Sequence, residues 1–72
     1  MTIQEKLGKV IVQLRKKEGI SQETLALNAG IDRKYMSDIE NGKRNISIDI
    51  IERLSKFFNI SISSLFLMVE EM

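Results

Sequence analysis

The sequence predicts an all-α protein built from five short helices. Apolar residues recur at spacings of three and four along most of the chain, which is the period of an amphipathic helix. Proline is absent, and Gly19, Gly30 and Gly42 follow one another at intervals of about eleven residues, where helix ends are expected. A length of 72 residues leaves room for one domain, spanning 1–72, with a single core.

The first helix is predicted to end in the basic turn before Gly19. Its inner face is formed by apolar residues at helical spacing, namely Ile3, Leu7, Val10, Ile11 and Leu14. The cations at residues 15–17 stabilise the end of a helix. Gly8 lies inside the pattern and is expected to weaken the helix slightly.

Ser21 is predicted to begin the second helix, because its hydroxyl can accept from backbone N–H groups that are open at a helix start. The inner face of this helix comprises Leu25, Ala26 and Ala29. Gly30 is expected to end it in the left-handed conformation, which other residues adopt only at a cost in free energy.

A short polar helix is predicted next. Asp32 is a suitable N-cap, and the helix runs over residues 33–40 or one residue further. Its core contacts are expected from Ile39 and from either Tyr35 or Met36.

Ser47 and Ser61 are the predicted caps of a fourth and a fifth helix. The fourth carries apolar residues at helical spacing, which are Ile50, Ile51, Leu54, Phe57 and Phe58. The fifth, at about 61–70, carries five in succession, which are Leu65, Phe66, Leu67, Met68 and Val69. One face of a terminal helix cannot bury five such residues in its own subunit, so we expect a homodimer interface here. The alternative is a cap on the core of the monomer.

The composition excludes several classes of function. Cysteine and histidine are absent, which removes disulfides, thiolate metal sites and the commonest general base and metal ligand. No glycine-rich phosphate loop is present. We therefore expect no catalytic residues, no metal, no cofactor and no small-molecule ligand. No apolar run approaches the ~20 residues that span a bilayer, and no signal peptide is evident, so we expect a soluble intracellular protein without a membrane partner.

Charge is distributed unevenly along the chain. Residues 1–44 carry nine Lys and Arg against six acids, whereas residues 45–72 carry two against four. The basic part includes the short polar helix and its flanks, IDRKYMSDIENGKRN, at residues 31–45. The two parts are expected to face different partners.

A helix, a glycine-centred turn and a short helix with a polar outer face are the plan of a helix-turn-helix, whose second helix enters the major groove of DNA. The stretch SQETLALNAGIDRKYMSDIENGKRNIS resembles the helix-turn-helix of the Cro and lambda-repressor type, the XRE-like family. The characteristic residues are SQxxLAxxAG, the following xxYxSxIExG and the closing RN. The resemblance implies a compact five-helix bundle of the lambda-repressor-like type, in which helices 2 and 3 form the motif at about 21–41. The segment GIDRKYMSDIENGKRNIS is most similar to controller proteins of restriction-modification systems.

The resemblance assigns roles to the outer face of the third helix. It implies that Arg33, Lys34 and Tyr35 reach base edges, and arginine suits guanine because its planar fork meets O6 and N7 together. Tyr35 and Ser37 suit a thymine methyl group or a phosphate. Asp38, one turn after Lys34, is expected to accept from a cytosine amine or to orient Lys34.

Phosphate contacts are expected around the motif. Gln22 matches the glutamine that opens the first motif helix and contacts a phosphate in the family. The loop after the recognition helix runs along the phosphates in the family, and its residues here are Asn41, Lys43, Arg44 and Asn45. By the same resemblance, Arg15 and Glu40 match an ion pair that ties the first helix to the recognition helix.

The implied function is a sequence-specific transcriptional regulator of the bacterial cytoplasm, associated with the nucleoid. A homodimer would read a near-palindrome in double-stranded DNA, with two dimers on one operator as a further option. An autoregulatory restriction-modification controller is favoured, and a phage or plasmid repressor or an antitoxin of the same fold is the alternative. A protein-interaction module without DNA binding is the alternative from another class, against which the cations Arg33, Lys34, Lys43 and Arg44 argue.

Overall fold

The computed structural model describes residues 1–72 and consists of five α-helices joined by short loops. They are α1 (Ile3–Lys17), α2 (Gln22–Ala29), α3 (Arg33–Glu40), α4 (Ile48–Phe57) and α5 (Ile62–Glu70). The helix α1 packs against α3 and α5, α2 packs against α3 and α4, and α4 packs against α5. None of the helices has both the length and the apolar character required to cross a membrane. The predicted all-α class with five helices is confirmed.

Side-chain caps explain where the helices begin. The hydroxyl groups of Ser21, Ser47 and Ser61 each accept from the backbone N–H three residues further along. The Asp32 carboxylate accepts from the N–H groups of residues 34 and 35 at 3.0 and 3.2 Å. These contacts satisfy donors that a helix start otherwise leaves open, and all four caps agree with the prediction.

The start of α1 has a cap that was not predicted. The Thr2 hydroxyl accepts from the Glu5 N–H at 3.1 Å, and Glu5 Oε1 accepts from the Thr2 N–H at 2.7 Å. This reciprocal pair is a capping box, for which a threonine followed three residues later by a glutamate is the sequence signal. The hydrogen bonds from Thr2, first that of its backbone N–H, hold the pKa of Glu5 below its ordinary value.

One apolar core takes residues from every helix. Of the two candidates in α3, Met36 is fully buried beside Ile39, whereas Tyr35 is half-buried at the edge of the core. Ile3, predicted on the inner face of α1, is instead 58% exposed. It lies in the first turn of α1, on the rim of a shallow groove rather than over the core.

The helices α1 and α3 meet almost backbone to backbone at Gly8. A Cβ atom at this position would lie 2.5 Å from the carbonyl oxygen of Ile39 and 2.7 Å from that of Glu40. Real Cβ atoms do not come so close to backbone oxygens, so only glycine fits without a shift of one helix. Gly8 therefore sets the distance between α1 and α3, in addition to its effect on helix propensity.

The apolar residues of α5 divide between the core and the surface. Leu65 and Val69 are 0% and 1% exposed, because α5 packs on α1 and α4 through them. Their assignment to a dimer interface is therefore wrong, since a partner cannot reach side chains that their own chain encloses. Leu67 and Met68 are 56% and 38% exposed, and Phe66 is half-buried.

Candidate nucleic-acid interface

The turn between α2 and α3 is fixed by contacts on both of its sides. Gly30 has a φ of 69°, the left-handed conformation that was predicted, and the N–H of Ile31 donates to the Ala26 carbonyl at 2.8 Å. From α4, Arg53 Nη1 donates to the Gly30 carbonyl at 2.7 Å. Ile31 is buried, and Asp32 begins α3 directly after it. The orientation of α3 is thus set by the turn as well as by the core.

The residues predicted to reach base edges lie outside the buried face of α3, with Tyr35 at the border of the core, and they are Arg33, Lys34, Tyr35, Ser37 and Asp38. Lys34 lies opposite the buried Met36 and Ile39 and is exposed, with no ion-pair partner. Because an α-helix has 3.6 residues per turn, residues 34 and 38 lie one above the other on this outer face. The structure brings the predicted group onto one helical surface.

Arg33 is paired with an acid of α2. Its Nη1 donates to Glu23 Oε2 at 3.2 Å, and both side chains are well exposed, at 66% and 71%. Exposed pairs of this kind contribute about 0–1 kcal/mol, so a stronger partner can displace Glu23. Asp32 is engaged in the helix cap and does not pair with Arg33. Arg33 therefore remains accessible at the start of α3.

The loop after α3 is attached to the first turn of α1. Gly42 has a φ of 69°, and a Cβ atom there would lie 2.8 Å from Glu5 Cα. Gln4 Nε2 donates to Asn45 Oδ1 at 2.6 Å. Lys43 is exposed between these two anchors and has no ion-pair partner. The contacts with α1 hold the loop beside the outer face of α3.

Arg44 folds back from this loop onto α3. Its Nε donates to Asp38 Oδ2 at 2.9 Å, and its guanidinium carbon lies 4.8 Å from the centroid of the Tyr35 ring. The Asp38 side chain is 20% exposed, whereas that of Arg44 is 45% exposed. Asp38 was expected to bind a cytosine amine or to orient Lys34, but its partner in the structure is Arg44.

Arg15 and Glu40 form a bidentate ion pair on the core side of α3. Arg15 Nε and Nη2 donate to Glu40 Oε2 and Oε1 at 2.8 and 3.1 Å, and Arg15 Nη1 donates to the Ile20 carbonyl at 3.1 Å. Their side chains are 15% and 5% exposed. Hydrogen bonding to Glu40 raises the pKa of Arg15 above its ordinary value, so the guanidinium stays charged.

Gln22, predicted to contact a phosphate, also donates to Glu40 Oε1, at 2.9 Å. A side-chain amide has two N–H donors, so one of them remains for a second acceptor. Gln22 therefore connects the start of α2 to the Arg15–Glu40 pair while it retains a donor for a second acceptor.

Several side-chain contacts at this surface were not predicted. Three of them join residues 6, 10 and 41 positions apart in the chain, and they are Arg44–Asp38, Arg33–Glu23 and Gln4–Asn45. The sequence shows that the members of the first two pairs have opposite charges. Their separation along the chain is not three or four residues, however, so helical periodicity does not predict that they meet. The third pair depends on the close approach of Gly42 to α1, which no local pattern indicates.

The chain is similar to known proteins in both sequence and structure. The family described as "Helix-turn-helix" matches residues 11–65. The chain is 41% identical over 70 residues to control protein C.MunI of a Mycoplasma species, covering 96% of this chain and 95% of that protein. It superposes on the restriction-modification controller protein C.AhdI from Aeromonas hydrophila with a TM-score of 0.82 at 40% identity, covering 88% and 96% of the two chains. The controller protein C.Esp1396I, solved as a tetramer in complex with its natural 35 base-pair operator, gives a TM-score of 0.86 at 32% identity, covering 99% and 93%.

Proposed function

The chain belongs to the XRE-type helix-turn-helix family of DNA-binding transcription regulators, and from that premise we propose that it is the autoregulatory controller of a restriction-modification system, acting as a homodimer. The observation that carries the proposal is the outer face of α3 together with the following loop. Lys34 and Lys43 are exposed and unpaired there, on elements held by the core and by α1. Such a surface suits the phosphates and base edges of a major groove.

In the proposed complex, α3 enters the major groove of double-stranded DNA. Arg33, Lys34, Tyr35 and Ser37 face base edges, while Gln22, Asn41, Lys43 and Asn45 contact phosphates. The helix dipole at the start of α2 supports the phosphate contact of Gln22. Residues 1–72 act as a single DNA-binding domain, and the site of action is the bacterial cytoplasm.

The proposed dimer contact is centred on the exposed part of α5. Leu67 and Met68 are exposed there, and the half-buried Phe66 borders a shallow apolar groove of about 220 Å³. A two-fold contact is self-complementary, so one patch serves both subunits. The dimer would place its two recognition helices about one DNA turn apart, ~34 Å, over the half-sites of a near-palindrome. Two dimers on one operator are the proposed higher assembly, and C.Esp1396I binds its natural 35 base-pair operator as a tetramer.

The signal in this proposal is the concentration of the protein itself. The monomer–dimer and dimer–DNA equilibria together determine how much of the operator is occupied, and weak dimerisation makes that occupancy a steep function of concentration. The operator is proposed to lie in the promoter of the protein's own gene.

Selection from random duplex DNA tests the proposal. The purified protein is mixed with random duplexes at two salt concentrations, and the bound fraction is sequenced. The expected result is a two-fold symmetric site, present upstream of the protein's own gene, with weaker binding at the higher salt concentration. A double variant, Lys34→Ala with Lys43→Ala, is the control, and we expect its bound fraction to show little enrichment of any site. Failure of the wild-type protein to enrich any site would overturn the proposal and favour a protein-interaction module.

A further inference from the structure

We propose that Asp38 is a positioning residue for Arg44, and that the guanidinium group it holds reads a base edge in the operator. This inference rests on the proposed DNA-binding function and deepens it. It replaces the two roles that the resemblance implied, a base contact for Asp38 and a phosphate contact for Arg44.

The guanidinium group of Arg44 is held at one edge and free at the other. Arg44 uses its Nε for the 2.9 Å hydrogen bond to Asp38 Oδ2, and its terminal nitrogens have no partner in the protein. Arginine has five N–H donors in a planar fork, four of them on the terminal nitrogens. The free edge of the fork therefore suits a pair of acceptors, such as O6 and N7 of guanine.

The guanidinium group of Arg44 lies close to two residues of the recognition helix. Asp38 lies one turn after Lys34 on the outer face of α3, so its partner is displayed over the recognition helix. The ring of Tyr35, 4.8 Å from the guanidinium carbon, attracts the cation and limits its movement on that side. Arg44 thus belongs spatially to the recognition helix, although its backbone lies in the loop.

The backbone of the loop that carries Arg44 is fixed as well. The N–H of Lys43 donates to the Asp38 carbonyl at 2.9 Å, and Gln4 holds Asn45 on the other side of Arg44. Gly42 packs so closely against the first turn of α1 that a Cβ atom there would clash with the backbone of Glu5. Since both ends of the Arg44 side chain are held, little conformational freedom is left to lose when it binds a base.

The charges of Asp38 and Arg44 cancel. A free carboxylate on a DNA-facing surface is repelled by phosphates, whereas the Asp38–Arg44 pair carries no net charge. The pair therefore adds little to general attraction for DNA, in contrast to the unpaired Lys43. What remains is the directional hydrogen bonding of the fork, which distinguishes one base pair from another.

The test is parallel selection from random duplex DNA with the wild-type protein, Asp38→Ala, Arg44→Ala and the double variant. We expect both single variants to lose preference at the same base-pair position of each half-site, by about tenfold. The double variant should lose no more than Arg44→Ala alone, because Asp38 acts through Arg44. Asp38→Asn, which retains an acceptor oxygen, should keep part of the preference.

Glu52→Ala is the matched control. It also removes one acid from an exposed ion pair, with Lys56 at 3.8 Å on α4, and should leave every selected position unchanged. Circular dichroism of each variant establishes that it is folded before selection.

Three results would overturn the inference. If Arg44→Ala weakens binding to all duplexes alike, Arg44 is a phosphate contact. If Asp38→Ala keeps the base preference at every position of the site, Asp38 does not act through Arg44. The same conclusion follows if Asp38→Ala loses the preference at a position where Arg44→Ala keeps it. Failure of the wild-type protein to enrich a site would be a distinct outcome, because it overturns the proposed function and this inference with it.

Discussion

Arg15 of α1 and Glu40 of α3 are joined by two hydrogen bonds, at 2.8 and 3.1 Å, and Glu40 also accepts from Gln22 at the start of α2. One carboxylate therefore connects the two helices of the motif to the helix that precedes them. Both side chains of the pair are largely buried, so water cannot take the place of one partner when the other is removed. The geometry of the motif therefore depends on this ion pair.

We expect Glu40→Ala to lower the free energy of unfolding by about 3 kcal/mol, because the Arg15 charge then remains buried without its partner. Urea denaturation followed by circular dichroism measures the change. Asp49→Ala, which breaks an exposed pair with Arg53 at 3.1 Å, is the control and should lower it by less than about 1 kcal/mol. Equal, small effects from the two substitutions would show that the buried pair contributes no more than a surface pair.

Gly8→Ala is expected to destabilise the protein although alanine favours helices. The propensity gain is about 1 kcal/mol, but the new Cβ would meet two backbone carbonyl groups of α3, and overpacking of this kind costs about 1–3 kcal/mol. Thermal unfolding should therefore show a lower Tm. Lys9→Ala, at the exposed neighbouring position of α1, should change stability by less than about 0.5 kcal/mol. A higher Tm for Gly8→Ala would contradict the close approach of α1 and α3.

The capping box predicts a component of stability that depends on pH. The pKa of Glu5 is lowered in the folded protein, so its contribution is present above the unfolded-state pKa and is lost as the pH falls through the folded-state value. Thr2→Ala removes the hydroxyl but keeps the backbone N–H, so it should raise the pKa of Glu5 only part of the way towards its ordinary value and make the acid limb of the stability curve somewhat shallower. NMR titration of the Glu5 carboxyl carbon measures the shift, and Ser63→Ala should leave it unchanged.

Two cations near α3 should differ in what they contribute to DNA binding. Arg33→Ala is expected to relax sequence preference, whereas Lys43→Ala should weaken binding to selected and scrambled duplexes alike and reduce the salt slope by about one unit. Fluorescence anisotropy with the two duplexes across a salt series measures both effects. Equal loss of preference from the two substitutions would show that the assigned roles are incorrect.

Dimerisation through α5 should be sensitive to charge at its exposed apolar surface. Leu67→Lys is expected to raise the dimer dissociation constant by about tenfold or more, because the lysine would have to be desolvated at the contact. Sedimentation equilibrium measures the constant. Leu27→Lys on α2, where the leucine is 80% exposed, is the matched control and should leave the constant unchanged. If both variants dimerise as the wild type does, the contact lies elsewhere.

Local signals in the sequence were sufficient to predict the helices. Ser21, Asp32, Ser47 and Ser61 each cap a helix as predicted, and Gly30 ends α2 in the predicted conformation. These features depend on residues within one helical turn, so their physical causes can be recognised in a short window of sequence.

Features that depend on packing between distant residues could not be predicted in the same way. The five apolar residues of α5 have similar hydrophobicity, and only the docking of α5 on α1 and α4 separates Leu65 and Val69 from the exposed Leu67. The Asp38–Arg44 pair likewise requires the path of a loop that Gly42 fixes against Glu5. Periodicity describes one helix at a time and carries no information on how a loop is placed relative to it.

The contact at Gly8 has a consequence for engineering. Because main-chain atoms of α3 lie directly against α1 there, the spacing of the two helices at this point does not depend on the outer side chains of α3. The chain can therefore serve as a scaffold on which Lys34, Ser37 and the paired positions 38 and 44 are varied in a combinatorial library. Variants with altered operator choice would inherit an unchanged framework, and the acid at residue 38 and its cation at residue 44 should be randomised together.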